Sequence, residues 1–214
     1  MSILMRAPRE CGSWFWDLDD VTAPGLESAL ETAARMSAVL QAHELLEPVS
    51  LEWSWFQVGK GGLGMHSRLD LVGRALDDPS VAEQARSCRP VGYPKAEMSA
   101  ILVVGAGTWL DAGGKPHRES RLVELSVSPD PVGPSAELSV HHDVWGLCDF
   151  RGVPHLAVHT HNAPRLEAAL RALDDALGVA AEPGEPTYFG VAEGYSLKTP
   201  DIIDGVGPDL TDHL

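Results

Sequence analysis

The sequence predicts an α+β fold, an antiparallel sheet packed by two amphipathic helices. Two stretches repeat apolar residues at helical spacing, along about 24–46 and about 163–177. Several shorter stretches alternate apolar and polar residues with a period of two. Gly/Pro turns too short to hold a crossover helix separate the strands between 99 and 161, which makes that region an antiparallel meander.

The chain of 214 residues suits one domain and is long enough to bury a core without disulfide or metal staples. In order, 11–18 reads as a strand with Trp14 and Trp16 on one face, running out into Asp17, Asp19 and Asp20. Thr22-Ala23-Pro24 opens a helix whose stripe is Leu26, Leu30, Ala33, Met36 and Leu40, and Pro48 stops it. The next strand, 49–58, sets Leu51, Trp53 and Trp55 on one face, as core residues. Gly59 to Gly64 is read as a flexible connection, since no phosphate-loop spacing is present, and 67–76 as a short helix with Leu69, Val72 and Leu76 inward. A further short turn runs from Asp77-Asp78-Pro79-Ser80 to Ser87.

The buried strand 99–104 leads into Gly105-Ala106-Gly107, the start of a dinucleotide fingerprint. The match stops there, because Leu110 stands in place of the third glycine and Gly113-Gly114 and Pro116 leave no room for a helix. A hairpin with a loop at 111–120 is the simpler reading. The strand 121–128 follows, then a turn at 130–134, and then 137–161, which holds five of the nine histidines. Read as a hairpin, 137–161 puts Leu138, Val140, Val144, Leu156 and Val158 on the apolar face, and His141, Asp143, Trp145, His155, His159 and His161 on the other. His142 falls on the apolar side, as a core histidine. Asn162 and Ala163-Pro164 signal the start of the last helix, with the stripe Leu166, Leu170, Leu173 and Leu177 and a stop at Gly178. From 180 to 214 the chain is a Gly/Pro-rich tail, packed on the domain or trailing from it, with Tyr188, Phe189 and Tyr195 available to pin it.

Charge narrows the function classes. Sixteen Lys and Arg against 31 Asp and Glu give a formal charge of −15, which disfavours a phosphate backbone and favours a basic protein or cationic ligand. Cys11, Cys88 and Cys148 are odd in number and widely spaced, giving neither a disulfide framework nor a zinc pattern. The first residues lack the long apolar run of a signal peptide, and no stretch approaches the roughly 18 apolar residues of a membrane span. The expectation is a cytoplasmic protein without a membrane partner.

The histidine face is the candidate for chemistry. His141, Asp143, His159 and His161 form a His/carboxylate set that suits zinc or another divalent transition metal, in a metal-dependent enzyme or a metal-binding protein. The His159-Thr160-His161 spacing is similar to a cupin metal motif, but the next acidic residue, Glu167, lies on the following helix, which excludes that fold. There is no Gly-x-Ser-x-Gly elbow, and Cys148 alone does not establish a nucleophile.

Gly12-Ser13-Trp14 in the first strand, the long amphipathic helix, the Trp-bearing second strand, the meander and the late helix together resemble immunity proteins of bacterial polymorphic-toxin systems. The resemblance is one of element layout and acidic composition over about the first 175 residues. It implies a small α+β protein that binds and blocks a cognate toxin without turnover and needs no cofactor. On that reading Asp17, Asp19, Asp20, His141 and Asp143 supply electrostatics toward a basic toxin domain, and Trp145 is an exposed contact anchor. The metal reading of the same hairpin stands beside it.

Overall fold

The computed structural model describes residues 4–130, 132–200 and 202–214. Its core is a nine-stranded antiparallel sheet with three α-helices among the described residues. In chain order the main elements are β1 (Gly12–Asp17), α1 (Leu26–Ala42), β2 (Glu47–Gln57), β3 (Gly61–Asp70), α2 (Pro79–Ser87), β4 (Glu97–Met98), β5 (Ile101–Leu110), β6 (Pro116–Ser120), β7 (Glu124–Ser128), β8 (Ser135–Val140) and α3 (Leu156–Leu177). The tail adds β9 (Glu182–Pro183) and a hairpin of β10 (Val191–Glu193) and β11 (Ser196–Lys198). The sheet runs β3-β2-β5-β7-β8-β1-β9, with β4 beside β2 and β6 beside β5.

The period-two pattern decides which sheet face is the core. Trp14 and Trp16, Leu51, Trp53 and Trp55, Ile101 and Val103, Leu125 and Val127, and Leu138 and Val140 all turn inward and are buried. Onto this face pack α1 and α3, whose Leu26, Leu30, Met36 and Leu40 and whose Leu166, Leu170, Leu173 and Leu177 are buried in turn. Burying one tryptophan contributes about 4–6 kcal/mol of gross transfer energy, so the two Trp-x-Trp pairs anchor the layer. A left-handed Gly178 ends α3, as the stop signal requires.

Gly105 and Gly107 are glycines for steric reasons. A Cβ on either would sit 2.1 Å from Glu47 O or 2.2 Å from Leu45 O, where the chain passes from α1 into β2. The apparent nucleotide signature is a crossing point of backbone.

Several sequence expectations are overturned. Pro116–Ser120, read as part of a loop, is β6 paired with β5, and Gly61–Gly64, read as part of a flexible connection, opens β3. The stretch 67–76 is not a helix: its first residues complete β3, with Leu63, Met65, Ser67 and Leu69 alternately sheltered and Trp55 Nε1 donating to Ser67 Oγ at 2.8 Å. The hairpin 137–161 has only its first arm. After β8 the chain makes a 3-10 turn at Asp143–Trp145, and the supposed second arm is the beginning of α3. Asn162 and Pro164 therefore stand inside a helix of 22 residues rather than at its start. Asn162 is buried because its amide completes the end of β5: Oδ1 accepts from Leu110 N at 2.9 Å, while Nδ2 donates to Leu110 O at 2.7 Å and to Val158 O at 2.8 Å. Arg165 adds hydrogen bonds to Thr108 O and His43 O. These contacts offset the roughly 3 kcal/mol that a proline costs inside a helix. The turn at 130–134 includes Pro131, which lies outside the described residues.

The tail is packed on the domain. Asp174 of α3 collects Trp16 Nε1 at 2.7 Å, Tyr195 OH at 2.6 Å and Ala181 N at 3.0 Å, while Trp14 Nε1 donates to Gly194 O at 2.6 Å. Phe189 is buried against Phe150, their ring centroids 5.3 Å apart.

Candidate functional site

The histidines of 137–161 fall in separate places. His141 follows β8 and lies beside Glu124, with Nε2 3.7 Å from Oε2. His155 precedes α3 and its Nε2 meets Gly146 O at 2.8 Å. His159 faces a groove with Trp145 and Tyr195, and His161 lies near the β5–β6 turn at Gly114. The proposed set His141, Asp143, His159 and His161 depended on a strand pairing that does not form. Among the described residues no group of three or more His, Cys, Asp or Glu is placed to hold a metal ion.

The helical turn after β8 also reverses the expected exposure. Trp145 is 0% exposed, so it is part of the core and presents no contact anchor. His141 and Asp143 are buried as well. The Asp143 carboxyl accepts Met5 N through Oδ1 at 3.1 Å, whereas Oδ2 is buried with no partner among the described residues. Burial, with Asp149 nearby, pushes this carboxyl up to about 7. Burial pushes the other way on its neighbour His142, down to about 4, with Arg6 adding to the effect, so the imidazole is neutral. A cavity of about 10 Å³, room for one water, adjoins Cys11, His142, Asp143, Cys148, Phe150 and Leu210. Burial and the nearby Asp143 hold the Cys11 thiol far above its ordinary range, so it is not a nucleophile.

The side of the sheet opposite α1 and α3 is polar. Across β2, β3, β7 and the β6–β7 break runs a chain of ion pairs: Arg68 meets Asp70 and Glu52, Arg121 meets Glu52 at 2.6 Å and Glu124 at 3.3 Å, and Arg6 meets Glu124 at 2.5 Å. Burial alone would raise Glu124, but its charged neighbours hold it below its ordinary value. Because burial also keeps His141 below its usual range, the arginines rather than the imidazole carry this effect near pH 7. Beside this chain an open groove of about 510 Å³ includes Ser54, His66 and Ser99. Ser54 Oγ donates to Ser99 Oγ at 2.9 Å, and among the described residues no hydrogen bond joins His66 to either serine, so no nucleophile–base pair is formed.

The other end of this face differs in charge. Asp17, Asp19 and Asp20 are exposed where β1 leaves the sheet, as expected from the sequence. Phe15, between the two core tryptophans, points the opposite way and is 39% exposed. Its direct neighbours across the strands are Glu137 on β8 and Glu182 on β9. Among the described residues none of these five acids forms an ion pair. Phe15 is the surface aromatic that sequence reading passed over, although the parity of Trp14 and Trp16 already turns it outward.

No helix among the described residues is long and apolar enough to cross a membrane. Compared with protein-family models, curated protein sequences and solved structures, the chain matches none.

Proposed function

We propose that this protein is a non-catalytic binding module, an immunity-type inhibitor that works in the cytoplasm by stoichiometric association with a basic protein such as a toxin domain. The observation that carries this reading is the polar sheet face, which ends in Asp17, Asp19 and Asp20, all exposed, on a chain of net charge −15. Uncompensated acids on one end of a rigid sheet speed encounter with a cationic surface and hold it in register, and association of this kind weakens as salt rises. Cationic nuclease toxins are the partner class that the immunity-protein resemblance suggests, because an acidic inhibitor occupies the surface that would otherwise hold phosphate.

The test is to mix the purified protein with the toxin domain encoded beside it and to measure toxin activity against molar ratio. Inhibition complete near one equivalent, and weaker at high salt, supports the reading. A protein that neither binds nor protects refutes it.

A further inference from the structure

We infer that the partner presents an arginine to the row Glu182–Phe15–Glu137, a reading that rests on the binding function proposed above and names its contact point. The row is built by register: Phe15 pairs directly with Glu182 on one side and Glu137 on the other, so all three side chains leave the same face. Adjacent strands lie about 4.8 Å apart, which places one carboxylate on each flank of the ring. Asp17, two residues along β1, extends the acidic border, and Ser13 lies two residues the other way. A guanidinium stacked on the exposed ring meets both glutamates with its in-plane N–H groups. A lysine ammonium satisfies the charge but lacks the flat, forked shape.

Charge complementarity selects this occupant. At the β2–β3–β7 end each acid of the ion-pair chain is already met by an arginine, whereas Glu137, Glu182 and Asp17 are met by none among the described residues. A second copy of this chain, at −15, or a nucleic acid would be repelled from the row. Val58, Val91 and Ile203, also exposed, stand in turns and in the tail; Val49 is exposed within β2, but Phe15 is the exposed aromatic of a strand and has a glutamate paired on each side.

The probe is an arginine-rich peptide, compared with a lysine-rich peptide of equal length and charge, in calorimetric titrations at physiological salt. The arginine peptide is expected to bind more tightly. Phe15→Leu weakens it about two- to fivefold, the worth of an exposed cation–π contact, and Phe15→Tyr restores it. Glu137→Gln/Glu182→Gln weakens it by a similar factor of about two to five. Glu31→Gln/Glu83→Gln, the same charge change on exposed sites of α1 and α2, stays near wild type. Thermal midpoints confirm that each variant is folded. Equal binding of the arginine peptide by wild type and Phe15→Leu, or equal loss from the two glutamate pairs, overturns the assignment. If the peptide results hold while neither wild type nor Phe15→Leu inhibits the neighbouring toxin, the functional reading fails and the row stands. If the toxin binds wild type and Phe15→Leu with equal measured affinity, the row fails and the function stands.

Discussion

Removing the Asp174 side chain should release the C-terminal hairpin and cost about 3–5 kcal/mol. Asp174 accepts three hydrogen bonds, from Trp16 Nε1, Tyr195 OH and Ala181 N. Their losses are unequal. Trp16 is 0% exposed, so in Asp174→Ala its indole N–H is left buried and unpaired, at about 2–3 kcal/mol for a donor to a charged group. Tyr195 and Ala181 are partly exposed and recover water, so each contributes only about 0.5–1 kcal/mol. For a chain of this size that sum lowers the thermal midpoint by about 6–20 °C. Asp174→Asn keeps an acceptor for Trp16 and should lose about half as much. Urea unfolding followed by tryptophan fluorescence gives the energies, and hydrogen exchange across 180–198 reports whether the hairpin loosens first. The reasoning is refuted if Asp174→Ala unfolds within about 0.5 kcal/mol of wild type, or if the two variants lose the same amount.

Asp143 should make stability pH-dependent. Its carboxyl is raised to about 7 in the folded protein, so between about pH 4 and 7 the native state holds a proton that the unfolded chain releases, and stability falls as pH rises. A difference of about three units corresponds to up to about 4 kcal/mol, and Asp143→Asn, a mimic of the neutral acid, should gain that much on wild type between pH 4 and 8, as read by denaturant midpoints. A wild-type–variant difference independent of pH would contradict this. Gly107→Ala should destabilise by about 1–3 kcal/mol or more, because its Cβ would overlap Leu45 O at 2.2 Å. A midpoint equal to wild type would show that the α1–β2 crossing is not tight.

The parts of the fold set by local periodicity were legible in the sequence. The inward set on α1, the Trp-x-Trp faces and the Leu166–Leu177 stripe are all buried as their spacing requires. What was not legible was set by tertiary contact. The stretch 155–161 has only Leu156 and Val158 to define a face, and two apolar residues satisfy a strand as well as a helix. Asn162 and Pro164 are ordinary helix-start residues, and they sit inside α3 because the Asn162 amide hydrogen-bonds to the Leu110 backbone, a partner 52 positions away. That misplacement carried the histidine site with it, since it put His155, His159 and His161 on a strand beside His141; Trp145 was turned outward separately, by strand parity continued past Val140 into the 3-10 turn. Asp17, Asp19 and Asp20 were readable because a strand exit needs only local polarity. Glu137 and Glu182 were not, because their company with Phe15 depends on the order of β8, β1 and β9 in the sheet.

The central claim is that acids at the β1 end of the open sheet face bind a basic protein. It is tested most directly by the affinity of the neighbouring toxin domain for wild type and for Asp17→Asn/Asp19→Asn/Asp20→Asn, measured at low and at physiological salt. The account predicts a one-to-one complex that salt weakens, with the triple variant binding less tightly at low salt and losing less on salt addition. Affinities that are the same for both proteins, or an absence of complex with either, would contradict it.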